Sequence, residues 1–413
     1  MAVDTSIREA IASICRVAPD EKRGRFAVDG IVPRVVAYPE SAEDVRVIVK
    51  IAAEHNLAVI PCGGGTQMGL GNIPRAADIV LRTGGMDRVL EYEPADLVVT
   101  VEAGIRLDEL QRRLAGHGQF LALDPPLADR ATIGGIIATN ASGPLRLRHG
   151  TVRDLLIGVK VAGADGAITK GGGKVVKNVT GYDMCKLYTG SLGSLGVIVE
   201  ASFKLAPLPK LESTVLAWFT ELGLACQAAR AIYKSALPIR ACELLSPPAA
   251  DAIGQSTSYM LAVRIGGGQA AVERQQRDVL AMCSSAESAQ ATDGNDVWRA
   301  IQDFGRERYE AIAKLSSQPS RTGQLLGILP REATFVSHVL SGVTYVFGAE
   351  AEAAAQAARD LGGYAVLEAC PLETKRRLDV WGPVGADFRL MERIKREFDP
   401  HGILNPGRYV GGL

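Results

Sequence analysis

Apolar positions in this chain fall into two alternating spacings. Val32–Tyr38 (VPRVVAY) is a short hydrophobic run closed by Pro39, which predicts a strand. Val45, Ile48, Val49 and Ala52 then recur at helical spacing, predicting an amphipathic helix over 42–55. Ser41 with Asp44 three residues on resembles a capping box at its start, and Asn56 closes it. Leu57–Ile60 is a second strand. The three elements make a β-α-β unit, which delivers whatever follows to the end of a strand, where α/β folds commonly bind ligands. A first helix is predicted over 7–16, strands at 79–81 and 97–102, and a short helix from Leu107, Leu110 and Leu114 to Gly116. Two runs flank Asp165-Gly166 within 155–170, a strong hairpin signal. Val199, Ala201, Phe203 and Leu205 alternate with Glu200, Ser202 and Lys204, as in a half-exposed strand, and Pro207 and Pro209 end it.

Beyond residue 210 the texture changes. Strands are predicted near 213–219, 239–245, 258–265, 323–329, 342–348 and 364–369, with helices near 223–235, 269–283, 331–340 and 350–360. Residues 284–297 are polar and read as a loop. This fits a layer of antiparallel strands backed by helices. The tail carries a helix to about Glu397, then Phe398-Asp399-Pro400-His401-Gly402-Ile403-Leu404-Asn405-Pro406-Gly407-Arg408, which is turn chemistry.

The chemistry concentrates where the pattern is interrupted. Pro61–Gly71 (PCGGGTQMGLG) has five glycines in eleven residues, with Thr66 and Gln67 between them. Such a backbone approaches a ligand closely and aims successive N–H groups at an anion, most plausibly a pyrophosphate. No Gly-Lys-Ser/Thr follows, so it is not a Walker loop, and Gly71-Asn72-Ile73-Pro74 cannot open a helix as a dinucleotide fingerprint does. By itself a loop of this kind is equally a surface turn. Ala131–Gly143 (ATIGGIIATNASG) is a second segment of small residues and hydroxyls, suited to backbone contact with a flat ligand or to close packing.

Composition narrows the classes. With 413 residues the chain is long enough for two or three domains; 47% hydrophobic and 22% charged residues are ordinary for a globular protein. A formal net charge of +0 and 5% aromatics argue against a nucleic-acid partner, and no apolar run is long enough to cross a bilayer. Seven scattered cysteines without a C-x-x-C give no iron–sulfur or zinc framework and suggest a reducing compartment. The N-terminus lacks the apolar core of a secretory signal, so the expectation is a cytoplasmic protein, peripheral to a membrane only through partners.

Taken together, 61–69, 131–143, 174–183 and 193–198 resemble the FAD-binding domain of the vanillyl-alcohol oxidase/PCMH superfamily. The tail FDPHGILNPG is similar to the C-terminal signature of its 2-hydroxyacid-oxidising branch. The wording GGKVVKNVTGYD with GSLG is most similar to the FAD-binding subunits of bacterial glycolate oxidases, the GlcE type. The resemblance covers 30–209 and 385–413. It implies an α+β fold: a PCMH-type, two-subdomain FAD-binding domain over 1–209, a smaller α+β cap domain over 210–375, and a segment over 376–413 returning to the flavin.

Carried over, the resemblance implies FAD contacts from Pro61, Cys62, Gly63, Gly64, Gly65, Thr66, Gln67 and Gly69 at the pyrophosphate. Pro125, Thr132, Gly134, Gly135, Thr139, Ser142 and Gly143 would follow the flavin and ribityl path. Gly196 and Ile198 would lie near the adenine or pyrophosphate, and Asn405 beside the flavin. Covalently flavinylated relatives often carry a histidine in the pyrophosphate loop; this loop has none, so a non-covalent FAD is expected. Implied partners are a larger catalytic FAD subunit and an iron–sulfur subunit, with a small 2-hydroxyacid as substrate.

The departure from the family is as informative. Catalytic relatives carry a His-Gly-Asp-Gly-Asn-x-His-type stretch that binds a divalent metal. Here the five histidines, His55, His117, His149, His338 and His401, share no metal-ligand spacing, and Thr292–Asp296 reads as a polar loop, so no metal site and no catalytic residue is assigned. His149 and His401 fit structural roles better than a base's, Cys62 that of a small buried residue, Lys174 and Lys177 that of solvated lysines, and Arg376, Arg377 and Arg389 that of salt-bridged helix ends. Three functions stay open: oxidation of a hydroxyacid at this flavin, a non-catalytic flavin-carrying assembly role, and a stand-alone FAD oxidase of another alcohol or hydroxyacid.

Overall fold

A computed structural model describes residues 2–173 and 182–413. Lys174, Lys177 and most of the GGKVVKNVTGYD motif lie outside the described residues. The chain divides into two compact units, the first comprising residues 1–141, 151–207 and 372–413, the second 142–150 and 208–371.

Among the described residues unit 1 contains two larger sheets and a two-stranded one that pairs Gln119–Phe120 with Ala206–Pro207. Helix α1 (Ala2–Ala12) precedes β1 (Val35–Tyr38), α2 (Ala42–Glu54), β2 (Val59–Cys62) and β3 (Ile79–Arg82). β1 and β2 each pair in parallel with β3, Val35 and Val59 both opposite Ile79; the short strand Arg16–Val17 adds to β1 antiparallel. Parallel pairing needs a crossover, and α2 is that crossover. The Ser41 side chain accepts the Asp44 amide at 3.1 Å, capping α2 as the sequence implies. The predicted face Val45, Ile48, Val49 and Ala52 is fully buried. It meets Ile7 and Ile11 of α1, Val35, Val59, Ile79 and Leu81 of the strands, and Ile403 and Leu404 of the tail.

The second sheet is antiparallel. It is built from β4 (Val89–Glu93), β5 (Val98–Glu102), β6 (Leu156–Ala162), β7 (Ile168–Gly172) and β8 (Val197–Lys204), in the order β4-β5-β8-β6-β7. The hairpin expected at Asp165-Gly166 is β6–β7, with Gly166 at φ +78°. Helices α3 (Leu107–Ala115) and α4 (Ile133–Thr139) lie between β5 and β6 in the chain.

Unit 2 is one eight-stranded antiparallel sheet with helices. In chain order it contains β9 (Leu211–Phe219), α5 (Leu222–Lys234), β10 (Ala241–Leu245), β11 (Tyr259–Gly267), α6 (Gln269–Met282), β12 (Ser288–Thr292), α7 (Asn295–Gln302) and β13 (Ile312–Ser316). There follow α8 (Thr322–Ile328), β14 (Thr334–His338), β15 (Val343–Phe347), α9 (Ala351–Asp360) and β16 (Tyr364–Ala369). The strand order is β12-β9-β11-β10-β14-β15-β13-β16.

Four expectations are corrected in unit 2. Residues 323–329 are helical, with Thr322, Leu325 and Leu326 buried at helical spacing. Residues 334–338, read as helix, are a strand; all five side chains are buried, so the alternation that marks a half-exposed strand is missing. The polar loop of 284–297 contains β12, an exposed edge strand without an apolar side, and the start of α7. Strand β13 was not anticipated. Within the described residues no helix is long and apolar enough to cross a membrane.

Candidate functional site

The strand β2 ends at Cys62 and the chain turns sharply. Gly65 has φ +77°, a conformation L side chains avoid. Added Cβ atoms would lie 2.0 Å from the Thr132 hydroxyl at Gly63 and 1.8 Å from the Arg130 carbonyl oxygen at Gly64. Glycine is therefore needed here because the loop runs hard against the segment that enters α4. Gly134 repeats the device one element on: its Cβ would sit 2.9 Å from that of Ala103, and its amide donates to the Ala103 carbonyl at 2.7 Å.

The tail fixes the other side of the loop. The Val59 amide donates to the Ile403 carbonyl (2.8 Å) and the Asn405 amide to the Val59 carbonyl (2.9 Å), so Leu404 bridges in parallel to β2. The tail helix Phe388–Phe398 supplies Lys395, whose ammonium donates to Asp399 (2.6 Å) and to the Ser194 and Leu404 carbonyls (2.8 Å each). Asp399 in turn accepts the Ile403 and Leu404 amides. Burial pulls the Lys395 ammonium below its usual range, with Asp399 opposing. Lys375 donates to Asp29 and to the Gly69 carbonyl, at 2.7–2.9 Å. Asn405 Nδ2 donates to the Leu192 carbonyl at 2.5 Å.

Between the loop, α4 and the tail lies a cleft in unit 1. Of the residues expected to hold cofactor, Pro61, Cys62, Gly63, Gly64, Gly65, Thr66, Gln67, Pro125, Thr132, Gly134, Gly135, Thr139, Gly196, Ile198 and Asn405 line it. Gly69 does not; its carbonyl is turned to Lys375. Ser142 and Gly143 belong to unit 2, where Ser142 accepts from Arg146 at 3.2 Å. Met68, Thr83, Pro126 and Arg408 line the cleft without having been singled out. Arg408 had a signal: it is the cation directly after Asn405-Pro406-Gly407.

The donor set suits a dinucleotide. Arg408 is the one charged side chain among the described lining residues, so no carboxylate opposes an anion. Thr132 is 3% exposed, and its hydroxyl lies buried without a hydrogen-bond partner. Buried hydroxyls are normally satisfied, which marks this one for a ligand. Cys62 is a free thiol contacted by Arg82 Nη1 at 3.0 Å.

Residues 33–172 match the family described as FAD binding domain, and residues 208–319 and 381–409 match the family described as FAD linked oxidases, C-terminal domain. A D-lactate dehydrogenase of Archaeoglobus fulgidus is 30% identical over 98% of this chain and 99% of that one. The chain belongs to the FAD-linked oxidase family. It is an FAD-linked oxidoreductase, and its cofactor is FAD. The glycolate oxidase subunit GlcD of Bacillus subtilis is also 30% identical, over 69% of this chain but 63% of that protein, less than two thirds of its length. The fold is that of p-cresol methylhydroxylase, at a TM-score of 0.73 and 16% identity, covering 98% of this chain and 96% of that one.

Unit 2 gathers a buried polar cluster that the sequence spacing did not reveal. Glu243 on β10 meets His338 Nδ1 on β14 at 2.6 Å. Arg306 meets Glu368 on β16 at 2.5 Å, and Lys314 on β13 meets the same carboxylate at 3.5 Å. The Arg306 guanidinium lies 4.7 Å from the centre of the Tyr345 ring. Burial pushes the Glu243 carboxyl well up, with Arg146 opposing. Burial acts against ionisation of Glu368 too, but Arg306 and Lys314 outweigh it and hold that carboxyl low. Among the described residues no group of three or more His, Cys, Asp or Glu could hold a metal ion.

Proposed function

We propose that the cleft of unit 1 holds FAD without a covalent link, and that the chain is the FAD-binding subunit of a glycolate (2-hydroxyacid) oxidase or dehydrogenase. It would oxidise glycolate to glyoxylate and pass the electrons to an iron–sulfur partner beside a larger flavoprotein. The observation that carries the cofactor site is the cleft itself: a glycine loop without acidic neighbours, an orphaned Thr132 hydroxyl and one buried cation. Amides of 63–67 would take the diphosphate, and Thr132, Gly134, Gly135 and Thr139 would flank the ring and ribityl chain. No histidine stands in the loop, which supports a dissociable cofactor.

Glycolate and D-lactate, in the names of two relatives, are both 2-hydroxyacids, which supports that substrate class. The cluster of unit 2 agrees with an acidic substrate. Arg306 and Lys314 share one carboxylate, Glu368, so two cations there meet a single acid.

The test is anaerobic mixing of the isolated protein with glycolate and with D-lactate. Bleaching of the flavin by glycolate is expected; full flavin content with no bleaching by either acid would leave the chain a flavin carrier. An iron–sulfur protein should copurify, and its absence would favour a stand-alone oxidase.

A further inference from the structure

Arg408 is the largest side chain that the fold buries completely, 2% exposed, and it has no carboxylate. Its Nη2 donates to the Met68 and Leu70 carbonyls at 2.6 Å each, and its Nη1 to Asn405 Oδ1 at 3.3 Å. Nε is buried without a partner. All three acceptors are neutral, and none of the described acids lies within ion-pair distance of the guanidinium. Burial pulls its pKa down, with Asp29 acting in the opposite direction. A guanidinium enclosed this way is costly unless a negative charge completes it. The cleft it lines contains no acid among the described residues, so that charge must come from the ligand.

The carbonyl contacts have a second consequence. Met68 and Leu70 follow Gly63–Gln67 directly, and Gly69 between them gives its carbonyl to Lys375. Three successive carbonyls at 68–70 are therefore held by buried cations. The tail's own backbone contributes as well, since the Asn72 amide donates to the Arg408 carbonyl at 2.9 Å. A loop whose carbonyls are tied back on one side is left to present amides on the other.

We propose that Arg408 is a cofactor-binding and positioning residue: its guanidinium charge pairs with the diphosphate of FAD while its Nη2 holds the Met68 and Leu70 carbonyls away from that group. The proposal rests on the cleft being the FAD site, as proposed above. The alternative partner for the same charge is the reduced flavin ring, and the experiment separates the two.

The experiment titrates FAD and riboflavin into deflavinated wild type, Arg408→Met, Arg408→Gln and Arg408→Lys, followed by flavin fluorescence, with circular dichroism reporting the fold. Loss of one charge-assisted interaction corresponds to about 10- to 150-fold in affinity. That loss is expected for FAD with Arg408→Met and Arg408→Gln, with riboflavin binding unchanged, a shallower dependence of FAD binding on salt, and an unaltered midpoint potential of the bound flavin. Arg408→Lys should recover most of the affinity. Wild-type affinity for FAD in folded Arg408→Met overturns the proposal. So does a shifted potential with unchanged FAD affinity, which would assign the charge to the reduced ring. Should Arg408→Met and Arg408→Gln fail to fold, inorganic pyrophosphate and ADP added to the wild-type apoprotein decide. Thermal stabilisation by both supports the diphosphate assignment, and stabilisation by neither overturns it. Failure of the wild type itself to take up FAD would instead reject the cofactor site.

Discussion

A methyl group at Gly64 would sit 1.8 Å from the Arg130 carbonyl oxygen, a distance no side chain occupies. Gly64→Ala should therefore break the seating of the loop on α4 and lose flavin together with stability. Gly69→Ala meets nothing within 4 Å and should keep both, as measured by flavin content and thermal melting. If the two variants lost flavin alike, glycine would be needed for flexibility and not for contact. His149 in unit 2 behaves differently. Burial, with Arg240 and Arg148, pulls its pKa from 6.5 to about 4. Below the unfolded value the denatured chain binds a proton that the native chain refuses, so stability is complete above pH 6.5 and falls as pH drops through about 4. His149→Gln should flatten that part of the melting-temperature profile and leave the region above pH 7 parallel to wild type. Identical slopes would assign the acid sensitivity to other groups.

At the level of elements, the tail is fixed by a buried ion pair. Lys395 and Asp399 are buried, four residues apart, and between them bind four backbone groups. Removing one member of such a pair strands the other, at a cost of about 3–5 kcal/mol. Lys395→Met should lower the urea unfolding free energy of unit 1 by about that much and release flavin at lower denaturant than wild type. A loss under 1 kcal/mol would show that the Leu404 bridge to β2 holds the tail alone. In unit 1, Val45, Ile48, Val49 and Ala52 spell a helix with polar residues on its other face, while β1, β2 and β3, almost wholly buried, were legible as short apolar runs. The elements of unit 2 were less legible. β14 is buried on both faces and β12 on neither, and period-2 alternation requires one of each. The Glu243–His338 contact joins residues 95 positions apart, which no local spacing can announce.

Across the whole chain, the two family matches fall on residues 33–172 and on 208–319 with 381–409, so the tail that closes the cleft is matched along with the second unit while it folds with the first. The cleft was legible as two glycine-rich segments and an Asn-Pro-Gly tail, because close backbone approach leaves glycine in the sequence. Arg408 was legible only as the cation after Asn405-Pro406-Gly407, since a buried cation looks like a surface one until its partners are seen. Binding only to the native state makes FAD a stabiliser: at a hundred times its Kd it should add about 2.7 kcal/mol to unfolding. Denaturation in acid should release the flavin to the supernatant; flavin held in the pellet would reject a dissociable cofactor. The most direct measurement is the flavin content of purified Gly135→Leu beside wild type. Gly135 lies on α4 facing the cleft, where an added Cβ meets only the Thr132 hydroxyl at 3.3 Å, so a leucine fills the cleft without disturbing its walls. We predict one FAD per wild-type chain and a colourless variant with the same circular dichroism; a variant carrying as much flavin as wild type would contradict the account.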